Sequence, residues 1–250
     1  MLSVPLLSIL SVVGVSLLSL LGILFFLFED RFIQKILLYL VSFSTGALLG
    51  DVFLHMIPEM AKDQTFLPHA LMMVLLGILF SFIVEKVVHW RHCHIIEHGH
   101  TECHPVGILS LVGESLHNFI DGIVIAAAYI ASPSVGIATT LAVVFHEIPH
   151  EIGNFAVLLH SGFTKKRALL FNVLSACMAI VGAIATLLAQ SQLGSISRYM
   201  LPFAAGNLLY IAGSDLIPEL HKHSRFVQSV LQLIGMLAGM AVMYGITLFE

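Results

Sequence analysis

Apolar blocks long enough to cross a lipid bilayer follow one another along the chain. We count eight, at about residues 4–28, 36–60, 68–90, 105–130, 135–160, 166–190, 199–220 and 226–249. A helix of about 20 residues spans roughly 30 Å of hydrocarbon. Charged residues make up 10% of the 250 residues, against roughly 25% in soluble domains. The sequence therefore predicts an all-α polytopic membrane protein with eight transmembrane helices, in a single transmembrane domain over residues 1–250.

Lysine and arginine are distributed unevenly between the joints that connect these blocks. We number the joints in chain order. Nine of the eleven lysine and arginine residues lie in odd-numbered joints, whereas the even-numbered joints hold only Lys62 and Arg198. Because these residues accumulate in cytoplasmic loops, we predict cytosolic odd joints and extracytoplasmic termini. The first block has no basic residue before Arg31, so we expect a first span rather than a cleaved signal peptide. The few charges form no basic patch, and we expect no nucleic acid partner.

Two pairs of segments echo each other. "LHMIPEM" at 54–60 corresponds to "SDLIPEL" at 214–220, and "HNFIDG" from 117 corresponds to "HEIPHE" from 146. According to the loop charges, the members of each pair run in opposite directions. Inverted repeats around polar helices are typical of transporters, which bind substrate near the midplane. We predict an inverted repeat of spans 1–3 and 6–8 around spans 4 and 5, with chance similarity of short motifs as the alternative.

Ionisable residues interrupt the fourth and fifth blocks at helical spacing. His117 and Asp121 are four residues apart, as are His146 and His150, so each pair shares one helix face. Three imidazoles and a carboxylate suit Zn²⁺ or a similar divalent ion. An ionisable group at membrane depth costs at least about 2.5 kcal/mol, which favours a metal site over simple hydrogen bonding between helices. Polar neighbours on the same two helices offer an adjoining site and its surroundings: Asn118, Glu147, Glu114 and Glu151.

The letters HEIPH also match HExxH, the zinc-protease motif. The alternative function is therefore an intramembrane zinc protease, with His146, His150 and Asp121 as zinc ligands and Glu147 as general base. Pro149 argues against it, because the motif requires a regular helix and proline bends one. The same proline frees the carbonyl of residue 145 as a further candidate ligand. We predict a transporter and not an enzyme.

The third joint has the composition of a metal-binding segment. Residues 89–104 read "HWRHCHIIEHGHTECH" and hold six of the fourteen histidines. This density predicts a flexible cytosolic metal acceptor or sensor rather than a plain linker. Its candidate ligands are His92, Cys93, His94, His98, His100, Cys103 and His104. The three cysteines of the chain are an odd set, and we expect free thiols.

Four more polar residues lie in the second, sixth and seventh blocks. They are candidates for accessory or pathway groups: Asp51, His55, Asn172 and Asp215. Asp51 and His55 are four residues apart and share a helix face. The alternatives for this set are a structural role at the membrane interface and hydrogen bonds to neighbouring helices.

Two long motifs carry a resemblance to a known family. "HNFIDGIVIAAAY" from 117 and "HEIPHEIGNFAVLLHSG" from 146 resemble the fourth and fifth transmembrane signatures of the ZIP (Zrt/Irt-like) metal transporters, in the HExPHE subgroup. "GDVFLHMIPE", "NVLSA" and "AGSDLIPEL" extend the likeness along the chain. The resemblance implies movement of Zn²⁺ toward the cytosol by an elevator-like shift of the helix pair, with Fe²⁺, Mn²⁺ and Cd²⁺ as further candidate substrates.

The resemblance also implies which residues bind the ion. It makes His117, Asp121, His146 and His150 ligands of the main site, and Asn118, Asp121, Glu147 and His150 candidates for an adjoining one. Two positions depart from the family pattern: Asn154 replaces the usual Asp, and His150 replaces the carboxylate of relatives with a paired-metal centre. A neutral imidazole offers one lone pair, whereas a carboxylate can bridge two ions. We therefore expect one main ion and a weak second position.

The surroundings of the protein can be predicted more coarsely. Membrane lipid and the divalent metal ion are the expected partners, and a homodimer is a candidate assembly. The compact form, in which no extracellular domain is visible, favours a bacterial inner membrane.

Overall fold

The computed structural model describes residues 3–23, 30–96, 104–193, 197–222 and 225–248, and the regular structure in these ranges is all helical. Eight helical rods, α1 to α8, correspond to the eight apolar blocks. They are α1 (Val4–Ser16, continued by the 3₁₀ helix Leu17–Ile23), α2 (Asp30–Asp51, Val52–Met56 and Ile57–Ala61), α3 (Leu67–Ile96), α4 (His104–Ala131), α5 (Pro133–His160), α6 (Lys165–Ala176 and Met178–Leu193), α7 (Ser197–Tyr210, Ile211–Leu216 and Ile217–His221) and α8 (Phe226–Thr247).

Seven of the eight described rods contain a stretch long and apolar enough to cross a membrane. The exception is α5, whose 28 residues would reach about 42 Å at 1.5 Å per residue. Its histidines and glutamates at 146–151 lower its hydropathy. The chain is thus a multi-pass membrane protein, with seven candidate spans among the described residues where the sequence predicts eight.

The two IPE motifs adopt the same local structure. Each begins a short α-helix that directly follows a π-helix, Val52–Met56 in α2 and Ile211–Leu216 in α7. Pro58 and Pro218 lack the N–H that would bond to the carbonyl four residues earlier. A π turn is one way for a helix to accommodate such an interruption. The echo in the sequence is therefore repeated in the backbone.

Glycines extend this correspondence to the packing of the rods. Gly46 in α2 and Gly206 in α7 each lie eleven residues before the isoleucine of their IPE motif. A Cβ at Gly46 would come within 2.0 Å of a backbone oxygen of α8, and a Cβ at Gly206 within 2.1 Å of one of α3. Gly239 in α8 and Gly77 in α3 make the reciprocal approaches. α2 therefore packs on α8 as α7 packs on α3.

The hydrophobic core has two parts that meet at α4 and α5. One part joins only α1, α4, α5 and α6 among the described rods, through Val12, Val15, Ile125, Ala126, Tyr129, Val143, Ala179 and Ala183, with a smaller cluster of Phe155, Leu158 and Ala168. The other part joins α2, α3, α7 and α8 to the opposite face of α4 and α5. The two polar helices thus lie between two apolar groups of rods.

Candidate metal-binding site

A tight connection places the polar faces of α4 and α5 side by side. Ser132, with an extended backbone (φ −162°, ψ 141°), is the only residue between the two helices. The chain therefore reverses at once, and α5 returns antiparallel to α4. As a result, His117 and Asp121 on α4 lie opposite His146 and Glu147 on α5.

These four residues form what we call the four-residue cluster: His117, Asp121, His146 and Glu147. His146 Nε2 lies 3.1 Å from Asp121 Oδ2, 3.3 Å from Glu147 Oε1 and 3.3 Å from His117 Nε2. His117 Nε2 lies 3.1 Å from Glu147 Oε1 and 3.7 Å from Asp121 Oδ2. One ligand atom from each of the four lies within 4.8 Å of all the others.

The spacing of these atoms fits a tetrahedral divalent ion. Zn²⁺ binds nitrogen and oxygen ligands at about 2.0–2.2 Å, and the edge of such a tetrahedron is about 3.3–3.6 Å. The five separations given above, 3.1 to 3.7 Å, bracket that value. Two imidazoles and two carboxylates are also a ligand set that zinc accepts.

Burial supplies a second reason for a cation. The side chains of Asp121, His146 and Glu147 are 0%, 1% and 1% exposed. Among the described residues, the imidazoles of His117 and His146 are the only side-chain donors near the Asp121 oxygens, and Asp121 Oδ1 and Glu147 Oε2 have no hydrogen-bond partner. A buried carboxylate with an unsatisfied oxygen is costly. A bound cation would compensate for the lost hydration of both acids.

A second set of ligands, the three-residue group, adjoins the cluster: Glu114, Glu147 and His150. His150 Nδ1 lies 3.1 Å from Glu114 Oε2, and the His150 ring stacks on the ring of His117 with centroids 4.4 Å apart. Asn118 Nδ2 donates to the Glu114 side chain at 3.0 Å. The structure thus brings Glu147 into both sets, His150 into the second, and leaves Asn118 orienting Glu114.

Glu151 and Asn172 lie behind the cluster, where they connect helices. Asn172 Nδ2 donates to Glu151 Oε2 at 2.5 Å, and Asn154 Nδ2 donates to Asn172 Oδ1 at 2.7 Å. Ser110 Oγ extends this series of hydrogen bonds by donating to Asn154 Oδ1 at 2.8 Å. An ionised aspartate at 154 could not donate to Asn172. Asn154, which departs from the aspartate of the family pattern, therefore supports a hydrogen-bond network that joins α4, α5 and α6.

The other candidate positions are distributed around the site. The carbonyl of Phe145, freed by Pro149, accepts a hydrogen bond from Ser44 Oγ of α2, which gives this oxygen a partner within the protein. Asp51 and His55 are buried on α2, with His55 Nδ1 3.5 Å from Asp51 Oδ1. Neither belongs to the two ligand sets.

A cavity of about 340 Å³ opens beside the ligands, and we call it the polar cavity after the polar side chains in its lining. Glu114, His117 and His150 line one wall, and α3 and α7 form the wall opposite, with Ser81, Glu85, Asn207, Tyr210 and Asp215. A neighbouring cavity of about 310 Å³ shares Ser110, Glu114, His150 and Asp215 with it. Asp215 was predicted from the sequence, but the rest of the α3/α7 wall was missed. The spacings 81/85 and 207/210 are a helical signal that could have indicated it.

Part of the predicted loop site lies outside the described residues, namely His98, His100 and Cys103. The side chains of His92, Cys93, His94 and His104 are likewise not described. Cys177 is a free, exposed thiol at the turn within α6.

Comparison with known proteins gives consistent matches. Residues 2–107 and 91–247 match the family model described as ZIP Zinc transporter. The "Zinc transporter YKE4" of Saccharomyces cerevisiae is 35% identical over 238 residues, which cover 82% of this chain and 69% of that protein. "Zinc transporter zipt-7.1" of Caenorhabditis briggsae is 30% identical over 294 residues, covering 91% and 75%. "Zinc transporter zipt-7.2" of Caenorhabditis elegans is 40% identical over 146 residues, and these cover 57% of this chain and 32% of that longer protein.

Proposed function

The chain belongs to the ZIP zinc transporter family, and from that premise we propose that it carries divalent metal ions, chiefly Zn²⁺, across a membrane through the four-residue cluster. The observation that carries this proposal is the convergence of four ligand atoms within 4.8 Å of one another on two facing helices. The relatives named as zinc transporters support zinc as the substrate. Transport of Fe²⁺, Mn²⁺ or Cd²⁺ stays a prediction from the resemblance.

We propose that the ion is handed from one ligand set to the other. The four-residue cluster holds the main ion, and Glu147 belongs to the three-residue group as well. A carboxylate can contact two ions or move between them, because it has two oxygens with several lone pairs. His150 and Glu114 then form the second, weaker position. Asn118 acts on the ion only through Glu114.

The route from the cluster leads to one end of the bundle. The polar cavity and the neighbouring cavity lie toward the end where α3 ends and α4 begins, which we call the basic end because its joints carry most of the lysine and arginine. On the positive-inside rule this end is cytosolic. Toward the opposite end, α4 is packed into the apolar core through Val124 and Ala128. We therefore assign this arrangement to the cytosol-facing step of transport.

The packing of the core also bears on which helix forms the eighth span and which helices move during transport. α5 carries half of the cluster between the two apolar groups of rods, so we propose that it also crosses the membrane, shielded from lipid by its neighbours. α1 and α6 share a core with α4 and α5, and these four rods form a body that can shift against α2, α3, α7 and α8. Protonation of an imidazole would help to release the ion.

The protease alternative is not supported. The relatives are transporters, and Glu147 Oε1 lies 3.1 Å and 3.3 Å from His117 and His146, as expected of a ligand. A general base must instead be available to activate water at an open coordination position. Location in a bacterial inner membrane stays a prediction that the eukaryotic relatives do not support, and a homodimer stays a prediction too.

Zinc uptake by vesicles that contain only the purified chain tests the function. We expect saturable accumulation that a trapped zinc dye reports, and a decrease of more than about tenfold in Asp121→Asn, because even a group that only orients a ligand costs 10–100-fold in metal affinity. The matched control is Asp63→Asn at the opposite end, where an asparagine oxygen can still accept the turn hydrogen bonds from Thr65 and Phe66. Folded protein without uptake, or cleavage of a membrane peptide instead, would contradict the proposal.

Thiol labelling in intact cells tests the orientation. In a chain with all three cysteines changed to serine, Gln64→Cys is expected to react with an impermeant maleimide from outside, and Lys166→Cys only after the membrane is opened. Both positions are exposed in the structure, at opposite ends of the bundle: Gln64 lies between α2 and α3, and Lys166 in the first turn of α6. The reverse labelling pattern would invert the assignment of the two ends.

A further inference from the structure

Pro149 interrupts the backbone of α5 within the segment that carries two metal ligands. It has no N–H for the carbonyl of Phe145, four residues earlier, and its ring crowds that carbonyl. Phe145 directly precedes His146, so the same peptide group contains this carbonyl and the His146 nitrogen. The His146 ring is held from behind by a long contact, 3.4 Å from Nδ1 to the carbonyl of Ala142. The position of His146 therefore depends on what binds the Phe145 carbonyl.

Ser44 of α2 supplies the donor that the proline lacks. Its side chain is buried, and its hydroxyl donates to the carbonyl of Phe145. Beside this bond, the rings of Phe43 and Phe145 meet edge to face, with centroids 4.7 Å apart. Ser44 Oγ also lies 2.7 Å from the carbonyl of Leu40 in its own helix, so the hydroxyl would have an acceptor without α5. The bond to Phe145 thus meets a need of α5 rather than of the serine.

α7 repeats this part of α2 without the hydroxyl. The offset that relates the two IPE motifs also aligns "FSTG" at 43–46 with "FAAG" at 203–206. Ala204 therefore stands in α7 where Ser44 stands in α2, and it is buried in the apolar core. Because the rod packs at this position with alanine, packing alone does not explain the serine.

The helices on which α2 and α7 pack differ in a matching way. α2 packs on α5, and α7 packs on α4. The echo between "HEIPHE" and "HNFIDG" aligns Pro149 of α5 with Ile120 of α4. Ile120 has an N–H and lies within a continuous α-helix, so it can bond to the carbonyl of Leu116. It also shares a core cluster with Ala204. The serine thus faces the helix that contains the proline, and the alanine faces the helix that does not.

We propose that Ser44 is a positioning residue for the metal site: its hydroxyl replaces the missing N–H at the Phe145 carbonyl and so fixes the turn that presents His146 and Glu147 to the ion. A peptide group free to tilt would displace both ligands, because they are the two residues that follow Phe145. Loss of a hydrogen bond that orients a ligand typically costs about 10–100-fold in metal affinity. The inference rests on the proposed function, which assigns the ion to the four-residue cluster.

Zinc affinity of the purified full chain in detergent, measured by competition with a fluorescent chelator, tests this role. The zinc that Asp121→Asn fails to bind identifies the cluster and separates it from zinc on the histidines of residues 89–104. We expect Ser44→Ala to weaken this binding about 10–100-fold, and Ser44→Thr, which keeps the hydroxyl, to retain most of the affinity. An equal loss of affinity in Ser44→Thr, at unchanged thermal stability, would overturn the proposal.

The matched control for Ser44→Ala is Thr45→Val. The Thr45 hydroxyl is buried like that of Ser44, but it donates at 2.8 Å to the carbonyl of Val41 in its own helix. We expect the zinc affinity of this variant to be that of the unchanged chain. A loss as large as that of Ser44→Ala would show that any buried hydroxyl of α2 has the same effect, and would overturn a specific role for Ser44.

Pro149→Ala distinguishes positioning from a general packing role. It restores an N–H that can bond to the Phe145 carbonyl within α5. We therefore expect Ser44→Ala to cost little further zinc affinity in the Pro149→Ala chain, a non-additivity that marks two changes acting on one group. Equal losses from Ser44→Ala in both backgrounds would overturn the role of Ser44. Equal zinc binding by the unchanged chain and Asp121→Asn would instead overturn the proposed function, because the cluster would then hold no ion.

Discussion

Replacing His146 with alanine is expected to reduce zinc uptake by vesicles more than about 100-fold, since removal of a direct ligand should exceed the 10–100-fold cost of losing a residue behind one. His146 Nε2 is the one ligand atom with contacts of 3.1 to 3.3 Å to all three other members of the cluster. Without it, Asp121 keeps a single imidazole neighbour, at 3.7 Å. The variant therefore loses the centre of the site.

The His150→Ala variant is the informative comparison for His146→Ala, because the sequence suggests the same role for His146 and His150. The structure places His150 in the three-residue group, 32% exposed toward the cavities, so we expect slower release with initial binding of zinc retained. His69→Ala is the matched control, since His69 is exposed and stacks on Phe66 at the opposite end. Equal loss of zinc binding in the His146 and His150 variants would restore the main site implied by the family resemblance.

Gly122→Ala is expected to lower the thermal stability of the protein and to eliminate uptake. A Cβ at Gly122 would lie 1.9 Å from the carbonyl oxygen of Ala179 in α6, and Gly182 approaches α4 in the same way, at 2.0 Å from the oxygen of Phe119. Carbon and oxygen need well over 3 Å, so α4 and α6 must separate by more than about 1 Å. Overpacking of this kind costs typically about 1–3 kcal/mol and occasionally more. Asp121, the preceding residue, would move with the helix.

The control for this change is Gly14→Ala in α1. A Cβ at Gly14 would have nothing within 4 Å, so the substitution should be neutral or stabilise α1 by up to about 1 kcal/mol. Thermal unfolding in detergent and zinc uptake are measured for both variants. Wild-type stability and uptake in Gly122→Ala would show that the close approach of α4 and α6 is not needed to hold Asp121 in place.

The sequence by itself determined the eight helical blocks and the two helices that carry the ligands. Both follow from local properties, since length and hydropathy decide whether a segment suits a bilayer, and buried histidines and acids on neighbouring helices have few other uses. The IPE echo was also readable in the sequence, and the structure adds a π-helix before each copy. Eight spans, the inverted repeat and the orientation in the membrane nevertheless stay predictions.

Only the tertiary structure decided which side chains meet. At about 100° per residue, an ideal helix places His150 within about 40° of His146 but Glu147 about 100° away, so the sequence favours the histidine pair. In the fold, Glu147 reaches His117 and His146, while His150 turns to Glu114. The rotation of α5 against α4 results from packing on α1, α6 and α2 together, a sum of many distant contacts. For the same reason the α3/α7 wall became visible only once the bundle brought those helices across from the ligands.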